Sequence, residues 1–162
     1  MIIVAVDVAK NKHDCFITNS DGEVLFDSFV IRNDQDGFDD LFEKIRSVAD
    51  SLQNVKVGLE ATGHYHLNLL GYLLDKGLPT CLINPLQTSL FRKSLSFRKT
   101  KTDSVDARAI ARLLMSDRTV QPYSLTSYQN EELKSLTRYR ADKDLSREPG
   151  RLPDTRNGTL HR

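Results

Sequence analysis

Four acids stand out by type and placement. Asp7 and Glu60 each close a short, largely apolar segment, residues 2–6 and 55–59. In open α/β sheets ligands bind beyond the carboxyl ends of the strands, so acids placed there face the ground where chemistry is done. Asp103 and Asp106 stand three residues apart at the start of a helical pattern and so share one helix face. Each also has an ordinary reading. Asp7 and Glu60 serve equally as solvated loop acids or caps, Asp103 as a helix N-cap, and Asp106 as a first-turn acid favoured by the helix dipole. Convergence of the four is what separates the readings. Gathered carboxylates repel, and burying them is costly unless something neutralises them. A hard divalent cation with oxygen ligands, Mg2+ or Mn2+, is the simplest remedy. A pair of such ions, about 3.5–4 Å apart, clamps the attacking and leaving oxygens of a phosphodiester.

The charge distribution supplies the complementary half. Net charge is only +1, but residues 1–84 carry 7 basic and 13 acidic side chains (net −6), residues 85–118 carry 8 and 3 (net +5), and residues 119–162 carry 8 and 6 (net +2). The middle segment, with Arg92, Lys93, Arg98, Lys99 and Lys101, suits a polyanionic partner whose phosphates it would contact. A solvated surface face fits the same charges. Other chemistry is less well served. His64 and His66 are two apart and do not share a helix face, so a zinc pair is disfavoured, and the local pattern reads as a helix start with Thr62 capping and Tyr65 packing. His64 and Tyr65 still lie close after Glu60, within reach of a scissile bond. Cys15 and Cys81 sit inside strand patterns and read as core. There is no glycine-rich phosphate loop of either common type.

The elements that must position these residues are legible in the hydrophobic pattern. Residues 2–7, 13–19 and 24–31 read as three strands, the last two joined at Asp21-Gly22, a pair that supplies the positive φ of a hairpin turn. Asn33 or Asp34 caps a helix over about 36–52, with Phe38, Leu41, Phe42, Ile45, Val48, Ala49 and Leu52 at helical spacing. A fourth strand at 55–60, a helix over about 65–76 closed by Gly77, and a fifth strand at 79–83 follow. Helices over about 86–94 and 103–115 flank the basic loop Arg98–Lys101. The order β-β-β-α-β-α-β-α-α describes an α/β protein: a mixed five-stranded sheet, an antiparallel meander plus parallel strands, with helices on both faces. The first strand is expected at the centre with the fourth parallel beside it.

Length and composition set the outer bounds. A chain of 162 residues, 39% apolar and 28% charged, is neither a membrane protein nor wholly disordered. No apolar run approaches the roughly 20 residues of a spanning helix. Two cysteines imply no disulfide framework, and a reducing, cytoplasmic location is expected. Residues 1–120 are expected to form one domain. Residues 121–145 read as the start of a further helix, over about Glu131–Leu145, and residues 146–162 as a disordered tail.

Four segments carry a family resemblance: Val6-Asp7-Val8-Ala9-Lys10, Leu59-Glu60-Ala61-Thr62-Gly63-His64-Tyr65, Ile83-Asn84-Pro85 and Lys101-Thr102-Asp103-Ser104-Val105-Asp106-Ala107. In this order they resemble the N-terminal domain of DEDD-type insertion-sequence transposases, relatives of the site-specific DNA invertases of pilin loci. That domain is similar to the Holliday-junction resolvases of the ribonuclease H-like fold. The resemblance implies that Asp7, Glu60, Asp103 and Asp106 are the catalytic, Mg2+-binding (or Mn2+-binding) DEDD acids, and that Lys10 and the basic loop approach phosphates. It implies DNA as partner, a structured guide RNA from the element, a homo-oligomer in the intact family, and no membrane. It also implies a C-terminal domain with a catalytic serine, joined by a helical hairpin. Residues 131–140 resemble the start of that connection, and the likeness ends near Asp144, where Pro149 and Pro153 are incompatible with a continuing helix. The expectation is a truncated DNA transposase or recombinase domain lacking the serine domain, from a frameshifted or decayed copy. The rival readings are a non-catalytic nucleic-acid-binding or regulatory fragment, and an actin-like or sugar-kinase-like ATPase lobe of similar element order, against which the missing phosphate loops argue.

Overall fold

A computed structural model gives the chain's architecture. It describes residues 1–95, 103–124, 126–130, 133, 134, 136 and 137, with residues 95 and 103–105 described by their backbone alone. The chain divides into two units, Met1–Leu125 and Thr126–Arg162. In the second, residues 126–130 are already helical, ahead of the expected start at Glu131, and Leu133 and Leu136 are exposed. The rest of the expected connecting helix and the tail lie outside the described residues.

The first unit is built on five strands: β1 (Ile2–Val8), β2 (Lys12–Asn19), β3 (Val24–Arg32), β4 (Val55–Glu60) and β5 (Thr80–Ile83). Their order across the sheet is β3-β2-β1-β4-β5. The meander β1–β2–β3 is antiparallel, while β4 and β5 run parallel to β1, so β1 is central as the sequence predicts. Gly22, at φ 87°, makes the expected turn between β2 and β3. β5 begins one residue after Pro79, which has no N–H to give a ladder and instead accepts a hydrogen bond from Val57 N (2.9 Å) through its carbonyl.

Four helices cover the sheet: α1 (Gln35–Val48), α2 (Leu67–Asp75), α3 (Pro85–Leu95) and α4 (Asp103–Ser116). Asp34 caps α1 through Gly37 N (2.9 Å). The helix stops at Val48, short of the predicted Leu52, because Ser51 turns its hydroxyl onto Gln53 N and starts a separate single 3-10 turn, Leu52–Asn54. α2 also starts later than its pattern suggests. Gly63, at φ 55°, opens a turn over residues 63–66, and His66 rather than Thr62 precedes the first helical residue.

The alternation of side chains along the strands divides the core in two. Val4, Val6, Cys15, Ile17, Val57 and Leu59 point to one face. α1 packs there, with Phe38 stacked on His13 (centroids 6.3 Å apart), and Phe38 in turn meets Tyr72 of α2 (5.5 Å). On the opposite face Ile3, Ala5, Phe16, Cys81 and Ile83 form a cluster with Ala107, Ile110, Ala111, Leu113 and Leu114 of α4. Phe91 of α3 packs against the same cluster. Both cysteines are buried, as expected of core residues, and burial pushes both thiols up, away from the reactive thiolate.

Candidate metal centre

The site forms where the α4 face of the sheet runs out. Val6 pairs with Leu59 across the parallel β1–β4 ladder, so Asp7 and Glu60 are the next residues on neighbouring strands and point to the face covered by α4. Asp7 is half-buried and stands opposite Asp14 of β2, which shares that face. Sequence reasoning passed over Asp14; its parity with Asp7 across the hairpin was the available signal.

α4 runs back over the sheet from this end. Its far part is seated by Gly58, two residues before Glu60 on the same face: a Cβ at that position would come within 2.4 Å of Leu114 Cδ1. The absent side chain therefore lets α4 approach β4 closely, and Ala107, nearer the site, is buried in the same cluster. Arg108 pairs with Asp27 on β3 and lies over the Phe16 ring (5.4 Å). These contacts fix the turn of helix that carries Asp106.

α3 completes the surroundings. Asn84 caps it: its Oδ1 accepts from Leu86 N (2.9 Å), and Gln87 Oε1 accepts in return from Asn84 N (3.2 Å), with Pro85 at the first helical position. This reciprocal cap directly follows β5, so α3 leaves the sheet end at a set angle. One helical turn apart, Thr88 and Arg92 then face the acids. Thr88 is fully buried against Glu60, and Arg92 is ion-paired with Asp106. Neither role was visible in the sequence.

Glu60 is the most telling group. It is 8% exposed, and its Oε2 has no hydrogen-bond partner among the described residues; nor does the Thr88 hydroxyl. Burial raises its pKa above the ordinary glutamate range; nearby Thr88 and Arg92 draw it partly back, while Asp106 pushes it up. A buried, under-satisfied carboxylate beside a second carboxylate calls for positive charge. In chemistry, though not in number among the described residues, these oxygen donors suit a hard divalent cation, with Glu60 Oε2 the clearest acceptor. Among the described residues no three His, Cys, Asp or Glu side chains lie close enough to hold a metal ion together. Asp103 stands at the first position of α4, and its side chain lies outside the described residues.

The expected phosphate contacts divide. Lys10 and Lys93 are exposed, and the Lys10 carbonyl accepts a hydrogen bond from Asn33 (2.9 Å). Arg92 is turned inward onto Asp106. Arg98, Lys99 and Lys101 lie outside the described residues. His64 is exposed, with its ring 4.7 Å from that of Tyr65, while His66 is buried at the start of α2.

A family model described as a transposase, of the IS110-type DEDD class, matches residues 4–152. The chain belongs to the DEDD transposases. Their match extends beyond Asp144, where the motif-level resemblance ends. The chain is 33% identical over 110 residues to the pilin gene-inverting protein of Moraxella lacunata, an alignment spanning 67% of this chain and 33% of that protein. It is 26% identical over 160 residues to the putative transposase y4uE of Sinorhizobium fredii, spanning 97% of this chain and 43% of that protein. The chain thus spans a third to under half the length of these curated relatives. Among solved structures, Thermus thermophilus RuvC superposes with a TM-score of 0.51 at 13% identity, covering 76% of this chain and all of RuvC. This DEDD transposase domain therefore has the α/β ribonuclease H-like fold that its motifs imply.

Proposed function

We infer that this DEDD transposase domain acts on DNA in transposition or recombination through a divalent-metal site built from Asp7, Glu60, Asp103 and Asp106. The observation that carries the reading is Glu60: a carboxylate held 92% out of solvent, with an oxygen that has no hydrogen-bond partner among the described residues, one residue beyond a parallel strand pair that also delivers Asp7. A fold does not retain such a group for stability alone, because a buried acceptor without a partner costs about 1–3 kcal/mol. Mg2+ or Mn2+, when bound, supplies the positive charge that steadies both the attacking and the leaving oxygen of a phosphodiester.

The chain's own residues do the rest. β1 and β4 hold Asp7 and Glu60 at fixed separation, since neighbouring strands lie about 4.7–4.9 Å apart. α4, clamped by Gly58 and Arg108, presents Asp106 from above. α3 and the buried Thr88 keep bulk water from Glu60. Lys10 and Lys93, both exposed, and by their charge Arg98, Lys99 and Lys101, are the phosphate contacts of this reading, giving affinity without base specificity. Guide RNA, assembly with further copies, and work in the cytoplasm at the nucleoid belong to the same reading. It is supported by the DEDD family match and by the pilin gene-inverting protein of Moraxella lacunata.

The test is thermal melting with and without Mn2+ and Mg2+, followed by DNA binding across a salt series. The metal raises the melting temperature of the wild-type chain, because it binds the folded state alone, and Asp7→Asn removes most of that rise. A melting curve indifferent to both ions would discard the metal site. Steeply salt-dependent DNA binding without a metal response would instead identify a non-catalytic binding fragment.

A further inference from the structure

Thr88 and Arg92 present one face of α3 to the acids, and Arg92 is already committed there. Its Nη1 donates to Asp106 Oδ1, and the two side chains are only 30% and 19% exposed, so water and salt screen the pair weakly. Close by, Glu60 Oε2 has no partner among the described residues. Arg92 therefore bonds one carboxylate of the site directly and acts on the other only through its charge.

We propose that Arg92 is a resident counter-ion that competes with a divalent cation for Asp106, so that metal entry requires the guanidinium to let go of that carboxylate. The proposal rests on the reading of these acids as a metal site. The oxygen that accepts from Nη1 cannot also ligate an ion without bringing two positive centres into repulsive proximity. In the metal-free chain Arg92 relieves the repulsion between acids and ties α3 to α4. On exchange the tie is lost, and a full positive charge is freed at the rim of the site. By linkage, anything that draws Arg92 away from Asp106 tightens metal binding, and metal makes Arg92 available by the same factor.

The experiment is calorimetric titration of Mg2+ into the wild-type chain, Arg92→Gln and Arg92→Lys, with melting temperatures recorded in the absence of metal. Arg92→Gln binds Mg2+ roughly tenfold more tightly than wild type, the scale of one charge-assisted hydrogen bond, and melts at a lower temperature when metal-free. Arg92→Lys, a point charge without the planar fork, falls between the two. Equal or weaker binding by Arg92→Gln, with wild type binding normally, overturns the counter-ion role and leaves the metal site standing. Binding by none of the three chains overturns both. The wild-type chain also gives a readout that needs no variant. The Arg92 Nε–H nuclear magnetic resonance signal shifts on Mg2+ addition, and its exchange with water quickens. A signal that stays fixed while Mg2+ binds sinks the proposal, even where Arg92→Gln does not fold.

Discussion

The two faces of the sheet obey the same alternation and end differently. Under α1 and α2, Val4 and Val6 of β1 and Val57 and Leu59 of β4 stay apolar to the end of the ladder. On that face one buried titratable group of β2, His13, is a ring stacked on Phe38 whose Nδ1 accepts from Ala9 N (3.3 Å). Under α4 the series Ile3, Ala5, Asp7 and Lys56, Gly58, Glu60 starts differently and finishes in acids, with Arg92 and Asp106 close by. The contrast teaches that a single parity of the strands carries the chemistry. The other face supplies the rigidity against which those acids are held. A one-residue slip of β4 would exchange the two roles.

The largest test of that contrast compares Leu70→Ala, beneath α2, with Ile110→Ala, beneath α4. Both residues are fully buried, and each truncation costs about 2–5 kcal/mol in denaturant unfolding. Only Ile110→Ala should also diminish the Mn2+-induced rise in melting temperature, since it loosens the helix bearing Asp106. Equal loss of metal response in both variants would erase the distinction between faces.

A smaller effect is expected at Gly58. Gly58→Ala forces Leu114 aside and costs about 1–3 kcal/mol by overpacking, with a weakened metal response read from the same melts. An unchanged response would show that the seat of α4 does not set the position of Asp106.

The smallest effects lie in pH dependence, where the faces should differ in sign. Burial raises Glu60, so its protonated form suits the metal-free fold. That contribution is fully present below the unfolded value of 4.5 and is lost as pH rises through the higher folded value. Glu60→Gln is therefore neutral or stabilising by up to about 1 kcal/mol at pH 7 without metal, and the gain vanishes in acid. Burial lowers His13, so its contribution is present above 6.5 and is lost as pH falls through the depressed folded value. Stability-against-pH curves of wild type, Glu60→Gln and His13→Met check both signs.

Much of the frame was legible because it is written in short-range chemistry. β-branched runs, Asp21-Gly22, the Asp34 cap and Gly77 at φ 76° each act within a few residues. Even the acids at the ends of β1 and β4 could be picked out, since strand ends in such sheets have a known use. Three features were not legible, for a common reason. The fit of Gly58 under Leu114, the pressing of Thr88 on Glu60, and the pairing of Arg92 with Asp106 are contacts between elements far apart in the chain. The charge of Arg92, which suits it to a phosphate, is visible in the sequence, while its pairing with Asp106 is not. The start of α2 was misplaced because a glycine at positive φ overrode a plausible threonine cap.

Arg108 deserves a last consideration, because it mounts the helix of Asp106 on the outermost strand of the sheet through Asp27. An acid mounted so stiffly has little compliance. Small ions such as Mg2+ demand near-ideal octahedral shells, while larger ones such as Ca2+ accept irregular ones. On the proposed reading of Asp106 as a ligand, the choice between ion sizes is set partly at the sheet's edge, through Asp27 of β3.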